Sequence, residues 1–392
     1  MNIINGHILT MAGKDIKNGY VKIENAKIAE VGDMTGFDGF GDIVDADGGF
    51  VMPGFVDAHT HIGMWEDALG FEGDDGNEDV DPITPHIRAL DGLNPMDRCF
   101  REALVAGVTS VLVGPGSANP VAGQMVAMKT RGICIDEMVI AQPAAVKFAL
   151  GENPKGVYHG KNQSPVTRMA TAAIIRETLC KTRDYMKKLE ESKENDDVDP
   201  PEYDFKCESL IPLLKGEIPA HFHAHRADDI FTAVRIAKEF GLKYSIVHAT
   251  EAHLVAGHLD KETGLILGPL LSDRSKPELA NQTCKSPAIL AQEGFRVAIC
   301  TDHPELPERY LLLSTCAAVK EGMDRGAALR SITIDAAFLA GIDHRVGSLE
   351  AGKDADVLIF DSHPLDFYAS LTHVFSDGEQ VALGLGDRYE RN

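Results

Sequence analysis

The chain has 392 residues, 44% hydrophobic and 25% charged, a size that suits one large domain carrying a smaller module. Its formal net charge of −22 argues against nucleic acid or an anionic membrane as partner and leaves cations unopposed at the surface. The seven cysteines are scattered with no CxxC pair, which reads as reduced thiols rather than a disulfide framework.

The N-terminal run MNIINGHILTMAGKDIKNG lacks the basic start and apolar core of a signal peptide. No apolar run approaches the roughly 18 residues of a membrane span, so a cytoplasmic protein is expected. NIINGHILT, GYVKIENAKIAEVG and DIVDADGGFVMPG then alternate apolar and polar residues between Gly, Asn and Asp, the mark of half-buried antiparallel strands. The same texture returns near the other end in GSLEAGKDADVLIFD and HVFSDGEQVAL. Neither end makes a stable sheet alone, which predicts one small β-module built from both termini.

FVDAHTHIG follows the first set of strands. Alternate residues of a strand share a face, so His59 and His61 leave an extended chain on one side. That spacing suits one metal ion bound through two nitrogens at about 2.0–2.1 Å, although paired histidines also occur in cores and at surfaces. Next comes an acidic, turn-rich segment, 65–92, which reads equally as a solvated excursion or as a lid over the active face.

From there β-like runs alternate with helical ones. TSVLVGPG, MVIAQPAAVKFAL, IPAHFHAHR, KYSIVHATE, LILGPL and FRVAICTD read as strands. PMDRCFREALVAG, DDIFTAVRIAKEFG, SPAILAQEG and GAALRSITIDAAFLAG read as helices, and 183–204 as the end of a charged helix followed by a loop. The alternation predicts parallel βα units closed as a (β/α)8 barrel, with a doubly wound open sheet as the competing architecture. Three parts follow: residues 1–52 and 344–392 for the β-module, as a small sandwich, and 53–343 for the barrel.

In a barrel, catalytic side chains come from the C-terminal ends of several strands. Here His59 and His61, the triplet His221, His223 and His225, then His248, and finally Asp302 all stand at such ends. A buried core histidine explains any one of these; it does not explain four strand ends together. Asp302 could bind a metal and accept a proton from metal-activated water, with His248 as a ligand or a donor to the developing oxyanion.

MPGFVDAHTHIG, HAHR, IVHATE and CTDHP in this order, flanked by DADGGFVMPG, ITIDAAFLAGID and GSLEAGKDADVLIFD, resemble the amidohydrolase superfamily of metal-dependent hydrolases over nearly the whole chain. The resemblance is closest to its imidazolonepropionase and dipeptidase-related branch. It implies a TIM-type barrel with a terminal β-module and a small-molecule substrate, without nucleic acid or membrane. Homo-oligomers are common in the family.

The resemblance also implies one or two divalent metals, zinc first, with manganese or iron as alternatives. His59, His61 and Asp302 would hold the more buried ion, with Asp302 as general base. His223 and His248 would bind a second ion or complete a single site; His221 and His225 share the face of His223 and stay open. The fourth-strand ligand would be Lys147, carboxylated, or else Glu152. Its activity would be hydrolysis of a C–N bond in a linear or cyclic amide or a dipeptide. Deamination of a small ring and a non-catalytic metal-binding scaffold are the alternatives.

Three further pieces could face a substrate. The Gly/Pro/Asn-rich loop 113–124 includes Asn119 and could equally be a packing turn. Arg226 could fork a carboxylate or make a surface ion pair. GENPKGVYHGKN carries Tyr158 and could be a polar wall or an ordinary loop.

Overall fold

The computed structural model describes residues 1–383. Five strands open the chain: β1 (Asn2–Ile8), β2 (Ile16–Glu24), β3 (Lys27–Asp33), β4 (Ile43–Asp45) and β5 (Phe50–Pro53). The barrel strands follow: β6 (Phe55–Thr60), β7 (Val108–Val113), β8 (Val121–Lys129), β9 (Val139–Ala149), β10 (Ala220–Ala224), β11 (Tyr244–His248), β12 (Gly264–Leu267) and β13 (Val297–Ile299). Then β14 (Val357–Phe360), β15 (Leu371–Ser376) and β16 (Glu379–Val381) return to the first sheet.

The two ends of the chain do share a sheet. β14 pairs antiparallel with β5, placing Ile359 opposite Val51, and the order runs β16-β15-β14-β5-β1-β2-β3 with β4 on β1. Its inward residues, among them Ile3, Val21, Val51, Val357 and Phe375, form one apolar cluster. All these strands belong to a single hydrogen-bonded sheet, where two separately bonded sheets define a sandwich.

The barrel sheet runs in sequence order from β6 to β13. β6, β7, β10, β12 and β13 are buried at every residue, as strands covered on both faces must be. Asp302 N–H donates to His59 O (3.2 Å) and His61 N–H to His303 O (3.0 Å), so the first and last strands meet at their C-terminal ends. Closure excludes the open doubly wound sheet and gathers those ends around one mouth.

Two details depart from the sequence reading. The third barrel strand, β8, is antiparallel to both neighbours and follows β7 through a short loop with no helix between. The loop read as 113–124 therefore ends at Pro120, and Val121 to Gln124 are strand. Its sequence, VAGQMVAMK, is short on β-branched residues, so only burial on both faces makes it a strand. In addition, GAALRSITIDAAFLAG forms two helices, Arg325–Ser331 and Ile334–Leu339. The break between them lets Ile332 C=O accept Val56 N–H (2.8 Å), fastening the second helix to β6.

Candidate metal centre and its cavity

His59 lies in β6, and His61 follows two residues on with its ring at the same mouth. Their Nε2 atoms stand 3.3 and 3.2 Å from Asp302 Oδ1, which hangs from the end of β13. Lys147 in β9 is fully buried, its Nζ 3.2 Å from His59 Nε2. Across the mouth, His223 of β10, His225 just after it and His248 closing β11 bring one ring nitrogen each within 4.8 Å of one another. His59 and His248 touch edge to face at 5.6 Å between ring centres, so the two groups form one site. His248 and Asp302 hold left-handed backbone conformations (φ 68° and 53°), a strain of about 1–3 kcal/mol each that concentrates at functional sites.

Whether a cation fits follows from the donors. His61 Nδ1 is 2.6 Å from Gly114 O and His248 Nδ1 2.7 Å from Gly268 O, which places the ring proton on Nδ1 in both. His61 Nε2 then presents a lone pair to the Asp302 carboxylate at 3.2 Å, two acceptors that only a cation or proton between them reconciles. Burial, then the charge of Lys147, holds His59 well below the usual imidazole range. Burial lowers His223 and His225 well below it as well, reinforced by His248, and takes His248 to about 4. Neutral imidazoles beside a carboxylate are the ligand chemistry of a divalent metal. Burial works to raise Asp302, but His248, His59 and His61 outweigh it and keep it well below its ordinary value.

Gly268 carries a special burden. At φ 152°, a Cβ there would sit 2.1 Å from Cys300 O, so only glycine lets its carbonyl reach His248.

Other residues singled out in the sequence lie elsewhere. His221 turns away from the mouth, its Nε2 3.2 Å from Leu339 O. Glu152 begins the helix Glu152–Gly160 on the cavity wall and belongs to neither ligand group. Arg226 is a correction: its guanidinium is half exposed and already forked onto Asp228 at 3.0 and 2.9 Å, because Asp228 stands two residues on at the helix start. Asn119 and Tyr158 are corrected too. Tyr158 donates to Asn119 Oδ1 (2.6 Å), and Asn119 donates to Glu78 O and Thr84 Oγ1, so both are buried behind the wall with their polar groups spent.

A cavity of about 670 Å³ opens over the two groups. The loop before β8 does face it, through Gly116, Ser117 and Ala118. The acidic segment supplies wall as well: Trp65 packs edge-on against His61 at 5.0 Å, and Asn77 lines the space.

The sequence reading missed Ser117, whose Oγ lies 2.8 Å from His223 Nδ1, and the group Asn153, Lys276 and Glu278. Glu278 Oε1 stands 3.9 and 3.7 Å from His223 and His225 Nε2. Ser117 and Lys276 sit in loops, Asn153 in the first turn of the helix Glu152–Gly160 and Glu278 in the 3-10 turn Pro277–Leu279, and no sequence signal marks them. Asp57 was also passed over. It accepts from His59 N–H (3.0 Å), Thr301 N–H (2.8 Å) and Thr301 Oγ1 (2.7 Å), tying β6 to β13 directly beneath the ligands.

Comparison with known proteins agrees with this geometry. The amidohydrolase family model matches residues 211–383. The crystal structure of an amidohydrolase from Thermotoga maritima MSB8 is 41% identical, with a TM-score of 0.93 over 97% of this chain and 99% of that one. Amidohydrolase tasK of Hapsidospora irregularis is 30% identical over 86% of this chain and 37% of its own length. An adenine deaminase of Listeria monocytogenes is 25% identical over 99% of this chain and 58% of its own. The chain thus spans about half the length of these curated relatives or less. With a barrel of matching shape, and a His/Asp set at the strand ends where the family motifs fall, the chain belongs to the amidohydrolase superfamily.

Proposed function

We propose that this chain hydrolyses a C–N bond in a linear or cyclic amide or a dipeptide, using one or two divalent metals, zinc first and manganese or iron next. The observation that supports this best is the meeting of His59, His61 and Asp302 with His223, His225 and His248 around buried Lys147. A bound divalent ion would supply a water acidified from about 15.7 to about 7 and an electrophile for the scissile carbonyl. His59, His61 and Asp302 would hold the first ion, and His223 and His248 the second.

The protein's own groups do the rest. Burial pushes the Lys147 amine down to about 8, which keeps a neutral fraction able to take up carbon dioxide as a carbamate, whose oxygens would then be available to a bound metal. Asp302 faces His59 and His61 with Oδ1, leaving Oδ2 to accept the water proton and pass it to the leaving nitrogen. His248 Nδ1, whose proton goes to Gly268 O, stands 4.0 Å from Oδ2, so the imidazole borders that carboxylate.

Turnover of an amide panel by metal-replete protein tests the reading. Asp302→Asn should lower kcat by about 10²–10⁴ with metal still bound, the range of a lost general base. Undiminished turnover in that variant would remove Asp302 from the role. Likeness to an adenine deaminase along the whole chain favours a second reading, deamination of an amino-substituted ring, distinguished by ammonia release from adenine-like substrates. A non-catalytic metal scaffold would bind metal and turn over neither class.

A further inference from the structure

We propose that Lys276 anchors a carboxylate carried by the substrate within a few bonds of the scissile C–N bond, an inference that rests on the hydrolase reading above. Lys276 is the one Lys or Arg among the described residues lining the cavity. It stands in the loop after β12, directly before the short 3-10 turn Pro277–Leu279. A free lysine head would wander in water; this one is held. Its Nζ donates to Asn153 Oδ1 at 2.9 Å and sits 3.0 Å from Glu278 Oε1. Glu278 is itself buried and clamped through Oε2 by the Glu152 N–H (3.0 Å), so it serves as a fixed post for the ammonium.

The position explains the substrate class. Asn153 Nδ2 lies 3.5 Å from His223 Nε2, so a single side chain separates the ammonium from the ligand histidines. An ammonium has three donors, and with two directions taken at least one remains for the cavity. Ser117, Ser272 and Asn77 add neutral polar groups along the same lining. Glu152, Asp302 and Glu305 also line the cavity, so an anion entering it finds its Lys contact only at Lys276, whose ammonium Glu278 holds in place from behind. A carboxylate there would hold the scissile bond against Asp302 and His248. The carboxylate could sit on the leaving amine, as in an N-acyl amino acid or dipeptide, or on the acyl half.

The test compares 4-oxopentanoate with hexane-2,5-dione. The acid is N-acetylglycine with its NH replaced by CH2, and the dione puts a methyl ketone where the acid has its carboxylate, so neither probe contains a C–N bond to hydrolyse. Calorimetry on metal-replete protein should show the acid binding at least about tenfold tighter than the dione, as a charge-assisted contact predicts. The ratio should fall to about one in Lys276→Met and stay above one in Lys276→Arg. Because Lys276→Met strands the Glu278 charge, the double variant Lys276→Met/Glu278→Gln repeats the measurement without that stress and should also lose the preference. No preference in the wild type, or a preference kept in the double variant, overturns the proposal. Turnover of N-acetylglycine against N-methylsuccinamate then shows which half carries the carboxylate. An intact binding preference with neither amide hydrolysed upholds the anchor and counts against the hydrolase reading instead.

Discussion

Replacing Glu308 tests how the ligand platform is built. Glu308 Oε2 accepts from Thr60 Oγ1 (2.7 Å) and lies 3.1 Å from Thr301 Oγ1, whose proton goes to Asp57, and its carboxyl meets that of Asp57, all in full burial. Two buried carboxyls in contact cannot both ionise, so they share a proton. Burial, then the Asp57 charge, raises Glu308 well above its ordinary value; burial raises Asp57 to about 6 against its backbone and hydroxyl donors. At neutral pH Glu308 is therefore the protonated partner and donates to Asp57. Glu308→Gln keeps an acceptor for Thr60 and an N–H donor for Asp57, and should change stability by about 1 kcal/mol or less. Glu308→Ala strands the Thr60 hydroxyl and takes the Glu308 proton from Asp57, which at about 1–3 kcal/mol for each of the two groups totals roughly 2–6 kcal/mol.

The sign with pH follows from the raised folded value. Above the unfolded carboxyl pKa the unfolded state gives up its proton first, so wild-type stability falls as pH rises toward the folded value. The Gln variant lacks that loss and should gain on the wild type between pH 5 and 8. Guanidinium denaturation followed by circular dichroism at several pH values provides the measurement. A Gln variant as unstable as Ala, or a Gln-to-wild-type difference flat in pH, would refute the shared proton.

Three more outcomes are expected. Lys147→Ala should lower bound metal per chain by elemental analysis, whereas Glu152→Ala should leave it unchanged; the reverse would transfer the fourth-strand ligand to Glu152. Lys129, buried at the end of β8, meets Asp356 (2.7 Å), Asp354 (3.1 Å) and Asp377 (3.1 Å). Lys129→Met should therefore cost about 3–5 kcal/mol near pH 8 in denaturant titrations, with the deficit shrinking as acid protonates the stranded carboxylates. Arg226→Ala should keep kcat/KM and shift stability by no more than about 0.5–1 kcal/mol, as an exposed ion pair allows; a tenfold rise in KM would return it to the site.

How much of this was legible beforehand depends on the range of the signal. His59, His61, His248 and Asp302 were readable because each follows an apolar β-run, and a strand's period of two places a terminal side chain on a known face. The same logic brought out His223 but left His221 and His225 open, and the structure groups His225 with His223 and His248. Only the barrel's depth decides that His221, lower on the same face, spends its nitrogen on Leu339 O instead. Lys147 and Glu152 also stayed ambiguous, since five residues of sequence do not reveal that one ends inside the barrel and the other starts a helix on its wall.

Tertiary structure alone decided the rest. Arg226 is the exception, a local pairing: Asp228 stands two residues on, and the structure chose the surface ion pair that the sequence had offered as one alternative. Asn119 and Tyr158 were polar in sequence and satisfied each other behind the wall. The antiparallel run of β8 was hidden because VAGQMVAMK owes its extended form to burial between β7 and β9 rather than to its own residues. Lys276 and Glu278 flank one short turn while Asn153 lies in a helix 123 residues before Lys276, so no periodic pattern could join them. By itself the sequence determined the strands, the ligand types and the chemistry they permit, because period and residue type are local. Which of those groups face one cavity, and which are already spent on a neighbour, depends on contacts between distant segments, and those exist only once the barrel has closed.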